Sequence, residues 1–226
     1  PWLLDEKRFI ERAIEAGVPT IGVCLGAQLI ADVLSAKVYQ NPQVEIGWFE
    51  LQTAAEPAPE AILRGLPERF MAFHWHGDTF EVPCGAIHIA QSQACRNQAF
   101  EYGRHVVGLQ FHLEYSAGSI EKMLVHCADE LVEAPFIQSR EQIGEGLTHL
   151  HRASEVLDSI LMPLLGQGGL HPDKAPLGGS HATRQDRYNA VYQPQRRKHL
   201  PFIPLTHFQQ KCWTKRESDA NPRPIW

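Results

Sequence analysis

Cys24 has a glycine two residues before it and another two residues after it, in the run Ile21-Gly22-Val23-Cys24-Leu25-Gly26-Ala27-Gln28. A short apolar stretch enters this run and a helix-like segment leaves it. The pattern suits a strand that bends sharply into a helix and exposes a nucleophile at the bend. Both glycines are expected to relieve crowding there, since a side chain at either position would collide. A helix N-terminus favours negative charge, and therefore thiolate. The chemistry would be covalent, through Cys24.

A nucleophilic cysteine needs a base, and the base needs an orienting group. Gln110-Phe111-His112-Leu113-Glu114 offers both. His112 falls at the end of an apolar strand, where reactive residues of open α/β sheets gather. Glu114 lies two residues on, and positions i and i+2 of an extended backbone face the same side. The carboxylate would then fix the ring tautomer and stabilise the imidazolium. Each piece alone has a bland explanation in packing. The combination of an elbow cysteine and a later His-x-Glu points to catalysis.

The elements that must position these groups can be read from periodicity. Phe9, Ile10, Ala13 and Ile14 recur at helical spacing and predict a helix that stops at Gly17. Strands are predicted over 19–23, 44–51, 70–75, 87–92 and 106–111. Helices are predicted over 27–34, over 119–133 with Pro135 as the breaker, and over 142–165. Mixed strands and helices indicate an α/β fold with a mostly parallel sheet.

The 226 residues suffice for one domain with a real core, or for a domain and a tail. Hydrophobic residues make up 43%, as expected of a globular protein. No apolar run reaches membrane-spanning length. The N-terminal residues turn charged too soon for a signal-peptide core. The five cysteines form no CxxC pair, which argues against a zinc site or a disulfide framework. A reducing cytoplasm is the expected home. The net charge of −5 is uneven: residues 1–166 are acidic, and residues 167–226 are basic and hold seven prolines. The second part is expected to be an irregular tail without a packed core. Its Arg196-Arg197-Lys198 cluster does not by itself call for a nucleic-acid partner.

These motifs together resemble the class I glutamine amidotransferase family, in particular its stand-alone, GMP-synthase-like members. The resemblance covers residues 1 to about 165. It rests on the cysteine motif from Gly22 to Gln28, on Phe73-His74-Trp75-His76-Gly77-Asp78-Thr79-Phe80, which resembles the glutamine-site loop, and on Gly108 to Glu114. It implies a flavodoxin-like sheet with helices on both faces, and hydrolysis of glutamine through a γ-glutamyl thioester at Cys24. His112 would move the protons and Glu114 would hold His112. The Leu25 backbone N–H would be an oxyanion donor, as suits a helix start. Gln28, His76, Gly77 and Asp78 would bind the substrate, with His76 as a loop residue shaping the pocket. No cofactor is implied. His74, His76 and Asp78 lie together in sequence, but no further ligand is evident, so no metal is expected.

The chain also departs from the family pattern. The first strand and the glycine-rich loop that carries a second oxyanion donor do not precede Cys24 here. Losing one such donor typically costs about 100- to 1,000-fold in rate, so weak or absent activity is expected of this chain. No synthetase domain follows, so ammonia would need a separate synthetase partner, or has no acceptor. Three readings stand: a glutaminase, a γ-glutamyl peptide hydrolase with the same triad, and a non-catalytic binding module.

Overall fold

The computed structural model describes residues 2–54, 61–63 and 65–166. The tail expected beyond Gly166 lies outside the described residues. The described part holds helices α1 (Trp2–Glu15), α2 (Leu25–Val33), α3 (Ala117–His126), α4 (Arg140–Glu145) and α5 (Leu150–Gly166). Its strands are β1 (Thr20–Val23), β2 (Val38–Thr53), β3 (Arg69–Phe80), β4 (Ile87–Gln91), β5 (Ala99–Tyr102) and β6 (Val106–Leu109). They form one six-stranded sheet in the order β1-β6-β5-β4-β2-β3.

Side chains alternate across this sheet, and the alternation separates two apolar layers. Val106 and Phe100 face a layer with Ile10 of α1 and with Ala27, Leu29, Ile30 and Ala31 of α2. Their neighbours Val107 and Ala99 face the opposite layer, with Ile120, Ile143, Val156 and Ile160 from α3, α4 and α5. Helices therefore cover both faces, and the fold is α/β as the sequence predicts.

The sheet is mixed rather than mostly parallel. Among the six described strands β1 and β6 alone pair with each other in parallel; β2–β3, β2–β4, β4–β5 and β5–β6 are antiparallel. The connections explain this. Tyr102 pairs with Val106 across a short turn, and antiparallel strands need no crossover helix, whereas parallel strands do.

Other elements differ in extent. β5 is absent from the sequence reading because Glu101 makes its segment look like surface. In the fold Glu101 is buried, and its carboxylate accepts the Ile62 and Leu63 N–H groups at 3.0 and 3.2 Å. The helix predicted over 119–133 ends at His126, well before Pro135, and a 3-10 turn over Ala128–Glu130 follows. The helix predicted over 142–165 is broken by a second 3-10 turn, Gly146–His149. Trp48 packs against the break: its indole N–H donates to the Ile143 carbonyl at 3.2 Å, and a methyl on Gly146 would overlap the ring. No helix among the described residues is long and apolar enough to cross a membrane.

Candidate active site

The elbow begins where β1 ends. Cys24 N–H donates to the Leu109 carbonyl at 2.7 Å, which carries the β1–β6 ladder one residue further. The backbone then turns: Cys24 has φ 52° and ψ −110°, a conformation that costs a residue with a side chain about 1–3 kcal/mol. Its carbonyl at once accepts Ala27 and Gln28 N–H at 3.0 and 3.1 Å and starts α2. Leu25 is the first residue of α2, so its N–H belongs to those a helix leaves without an intrahelical partner.

Only one of the two flanking glycines is confined. A Cβ on Gly22 would lie 2.5 Å from the Gly26 carbonyl carbon and oxygen and 2.6 Å from Ile30 Cδ1. A Cβ on Gly26 would meet nothing within 4 Å. The expectation of crowding at both positions is thus corrected: the strand packs closely onto the backbone of α2 through Gly22, while Gly26 faces open space.

His112 lies three residues past the end of β6, and β3 holds it there. His112 and Phe73 form an antiparallel bridge, with N–H to O distances of 2.8 and 3.2 Å. The ring is buried, with Nδ1 2.6 Å from Glu114 Oε1. The other Glu114 oxygen accepts the Leu113 N–H at 2.9 Å. Tyr115 covers the imidazole at a ring distance of 4.6 Å. Burial alone would push the His112 pKa down. The Glu114 carboxylate, together with a hydrogen bond to the Cys24 side chain, outweighs burial and raises it to about 10. Burial likewise pushes Glu114 up, and His112 outweighs it to hold the carboxyl below its ordinary range. The fold therefore brings Cys24, His112 and Glu114 together.

Two glutamines extend the cluster. Gln110 Nε2 lies 3.6 Å from Cys24 Sγ. Its Oε1 accepts from Gln28 Nε2 at 3.1 Å, and Gln28 Nε2 also reaches the Asp78 carbonyl at 3.4 Å. Gln110 has no assigned part in the sequence reading. Its signal was the period of two: Gln110, His112 and Glu114 alternate with the buried apolar Phe111 and Leu113.

The segment read as a glutamine-site loop is strand. Residues 73–80 lie within β3, because their alternation lets them pair with β2. That pairing slips once: Gln40 faces Asp78 and Glu45 faces His76, so residues 41–44 bulge opposite Gly77. His76 is accordingly a buried strand residue rather than a loop residue. Its Nδ1 meets the Asp78 carbonyl at 3.1 Å, and its Nε2 lies 3.2 Å from Glu45 Oε2. Nε2 makes no hydrogen bond there, so the two groups meet as a close polar contact.

Glu45 and His74 complete a buried group that the sequence reading did not assemble. Donor atoms of Glu45, His74 and His76 all lie within 4.8 Å of one another, so the fold supplies the further ligand that the sequence lacked. Yet the carboxylate already accepts from the Ser92 hydroxyl and the Gln98 amide, each at 2.7 Å. Burial opposes the charge on Glu45, but His76, His74 and Ser92 outweigh it and lower the pKa. Burial drives His74 down to about 3, which leaves that ring neutral.

A strained cysteine elbow, a buried imidazole–carboxylate pair beside it and an α/β sheet beneath stand together in one domain. Residues 4–130 match the model of the family "Glutamine amidotransferase class-I". The glutamine amidotransferase-like protein YfeJ of Salmonella typhimurium is 32% identical over 129 residues, covering 57% of this chain and 54% of that protein. One subunit of the glutamine-hydrolyzing GMP synthase of Thermococcus kodakarensis is 34% identical over 107 residues, covering 46% of this chain and 55% of that protein. A glutamine amidotransferase crystal structure from Thermotoga maritima superposes with a TM-score of 0.64 at 34% identity, covering 73% of this chain and 70% of that one. A second, from Methylobacillus flagellatus, gives 0.69 at 30% identity, covering 74% and 70%. The chain belongs to the class I glutamine amidotransferase family. It spans a little over half the length of the first two curated relatives named.

Proposed function

We propose that this domain hydrolyses the side-chain amide of glutamine through a thioester at Cys24. The observation that carries the reading is the strained Cys24 elbow set beside the His112–Glu114 pair at 2.6 Å. In this mechanism His112 holds the proton of the Cys24 thiol. The thiolate attacks the side-chain carbonyl carbon of glutamine, and the Leu25 N–H stabilises the resulting oxyanion. The intermediate collapses, the C–N bond breaks, and the imidazolium gives its proton to the departing ammonia. Neutral His112 then takes a proton from water as the water attacks the thioester. Glutamate leaves and the thiolate–imidazolium pair returns. Glu114 keeps the ring oriented throughout. Gln28, Gly77 and Asp78 would contact the glutamine, with the buried His76 behind Asp78 shaping their position, and Gln110 would steady the sulfur.

Relatives named as single subunits of a GMP synthase support a separate synthetase partner that takes up the ammonia. The site is tested by incubating the chain with a glutamine analogue that carries a diazoketone in place of the amide. Mass spectrometry should find one adduct, on Cys24, and glutamine should yield ammonia in the untreated chain. A folded chain without the adduct would support a binding module instead. Release of amino acids from γ-glutamyl peptides with no ammonia from glutamine would move the same chemistry to a peptide substrate.

A further inference from the structure

Glu45 carries a buried charge that the proposed mechanism leaves unused. It sits at the edge of the β2 bulge, opposite His76, with its side chain fully removed from solvent. A buried carboxylate is costly unless it is paired and hydrogen-bonded, and this one has Ser92, Gln98 and His76 about it. The bulge is itself pinned, since Asn41 Nδ2 donates to the Gln43 and Ala94 carbonyls at 2.7 and 3.0 Å. Bulges of this kind re-aim side chains beside active sites.

We propose that Glu45 is a positioning residue for the glutamine site: it fixes the His76 ring, and through it the Asp78 carbonyl that meets Gln28 beside Cys24. The proposal rests on the reading that Cys24 hydrolyses a glutamine side-chain amide. A carbonyl oxygen only accepts, so the His76 Nδ1 at 3.1 Å from Asp78 carries a hydrogen. At the other end of the ring Nε2 lies 3.2 Å from Glu45 Oε2, a close polar contact without hydrogen-bond geometry. The ring is thereby confined between the Asp78 carbonyl and the Glu45 carboxylate. From Asp78 the contacts run to the Gln28 amide at 3.4 Å, on to Gln110 at 3.1 Å, and then to Cys24 Sγ at 3.6 Å. Loss of the charge on Glu45 frees one end of this series and leaves the elbow, His112 and Glu114 in place.

The test compares two probes of Cys24 in the full chain. Iodoacetamide is small and needs no glutamine site, whereas the diazoketone analogue needs one. In Glu45→Gln the labelling rate by the analogue should fall about tenfold, the scale on which a residue one contact removed modulates a site. The iodoacetamide rate should stay within about twofold, and the loss in turnover should fall on KM rather than kcat. His76→Gln should behave alike, and the double variant should be no worse than His76→Gln alone, since both act through one contact. Equal changes with both probes, or additive effects in the double variant, would overturn the positioning role. If Glu45→Gln fails to fold, Ser92→Ala is the milder variant: it should slow the analogue about threefold and spare iodoacetamide, and an unchanged ratio overturns the role. A wild-type chain that reacts with iodoacetamide but never with the analogue overturns the glutaminase reading instead.

Discussion

His112 Nδ1 and Glu114 Oε1 lie 2.6 Å apart, from side chains separated by a single residue whose own N–H is held by the same carboxylate. One short segment therefore supplies the ring, its orienting charge and the backbone anchor of that charge. Glu114→Gln keeps the shape and removes the charge. Turnover should fall about 10³- to 10⁴-fold, the order seen when the acid of a comparable triad becomes an amide. Steady-state ammonia release, with Cys24 labelling to confirm a folded site, checks this.

The same pair links stability to pH. His112 is raised from 6.5 to about 10, so its contribution is fully present below 6.5 and disappears as pH rises through about 10. Glu114 is lowered from 4.5, so its contribution is present above 4.5 and is lost as pH falls through the lowered value. Both act together between pH 4.5 and 6.5. Urea midpoints measured from pH 5 to pH 10 should decline above 6.5, and the decline should be shallower in His112→Gln. Parallel declines in both proteins would refute the assignment.

Strain at the nucleophile predicts an inverse relation between stability and activity. Cys24 sits at φ 52°, where glycine rests without penalty. Cys24→Gly should abolish hydrolysis and raise stability by about 1 kcal/mol. Cys24→Ala should be equally inactive with stability near that of the parent, because alanine keeps the strained φ. Denaturant titration of the three proteins provides the comparison, and a destabilised Cys24→Gly would count against stored strain.

The two glycines of the elbow should part company under substitution. Gly22→Ala forces a methyl to 2.5 Å from the Gly26 backbone and should cost about 1–3 kcal/mol. Gly26→Ala meets open space inside a helix and should be neutral or stabilising by about 0.5–1 kcal/mol. Thermal melts of both variants decide the point.

Much of this site is local in sequence, and for that reason the sequence by itself determined it. The elbow depends on a glycine, a cysteine and the onset of helical periodicity within seven residues. The His-x-Glu pair depends on the two-residue repeat of extended chain. The α/β class follows from alternating periodicities, and the family follows from three motifs in order. Tertiary structure decided what depends on distant partners. The strand nature of residues 73–80 required β2 as a neighbour, and the strand at Glu101 required the Ile62 and Leu63 N–H groups to satisfy a buried charge. The mixed sheet required knowing which strands meet. Gln28 and Asp78 are fifty residues apart in sequence, and Gln110 is 82 residues beyond Gln28; only the fold joins their amides and carbonyl in a series that ends at the Cys24 sulfur. Glu45, His74 and His76 form a group because a bulge in β2 restores register there, and a register is a property of two strands, which neither strand's sequence carries alone.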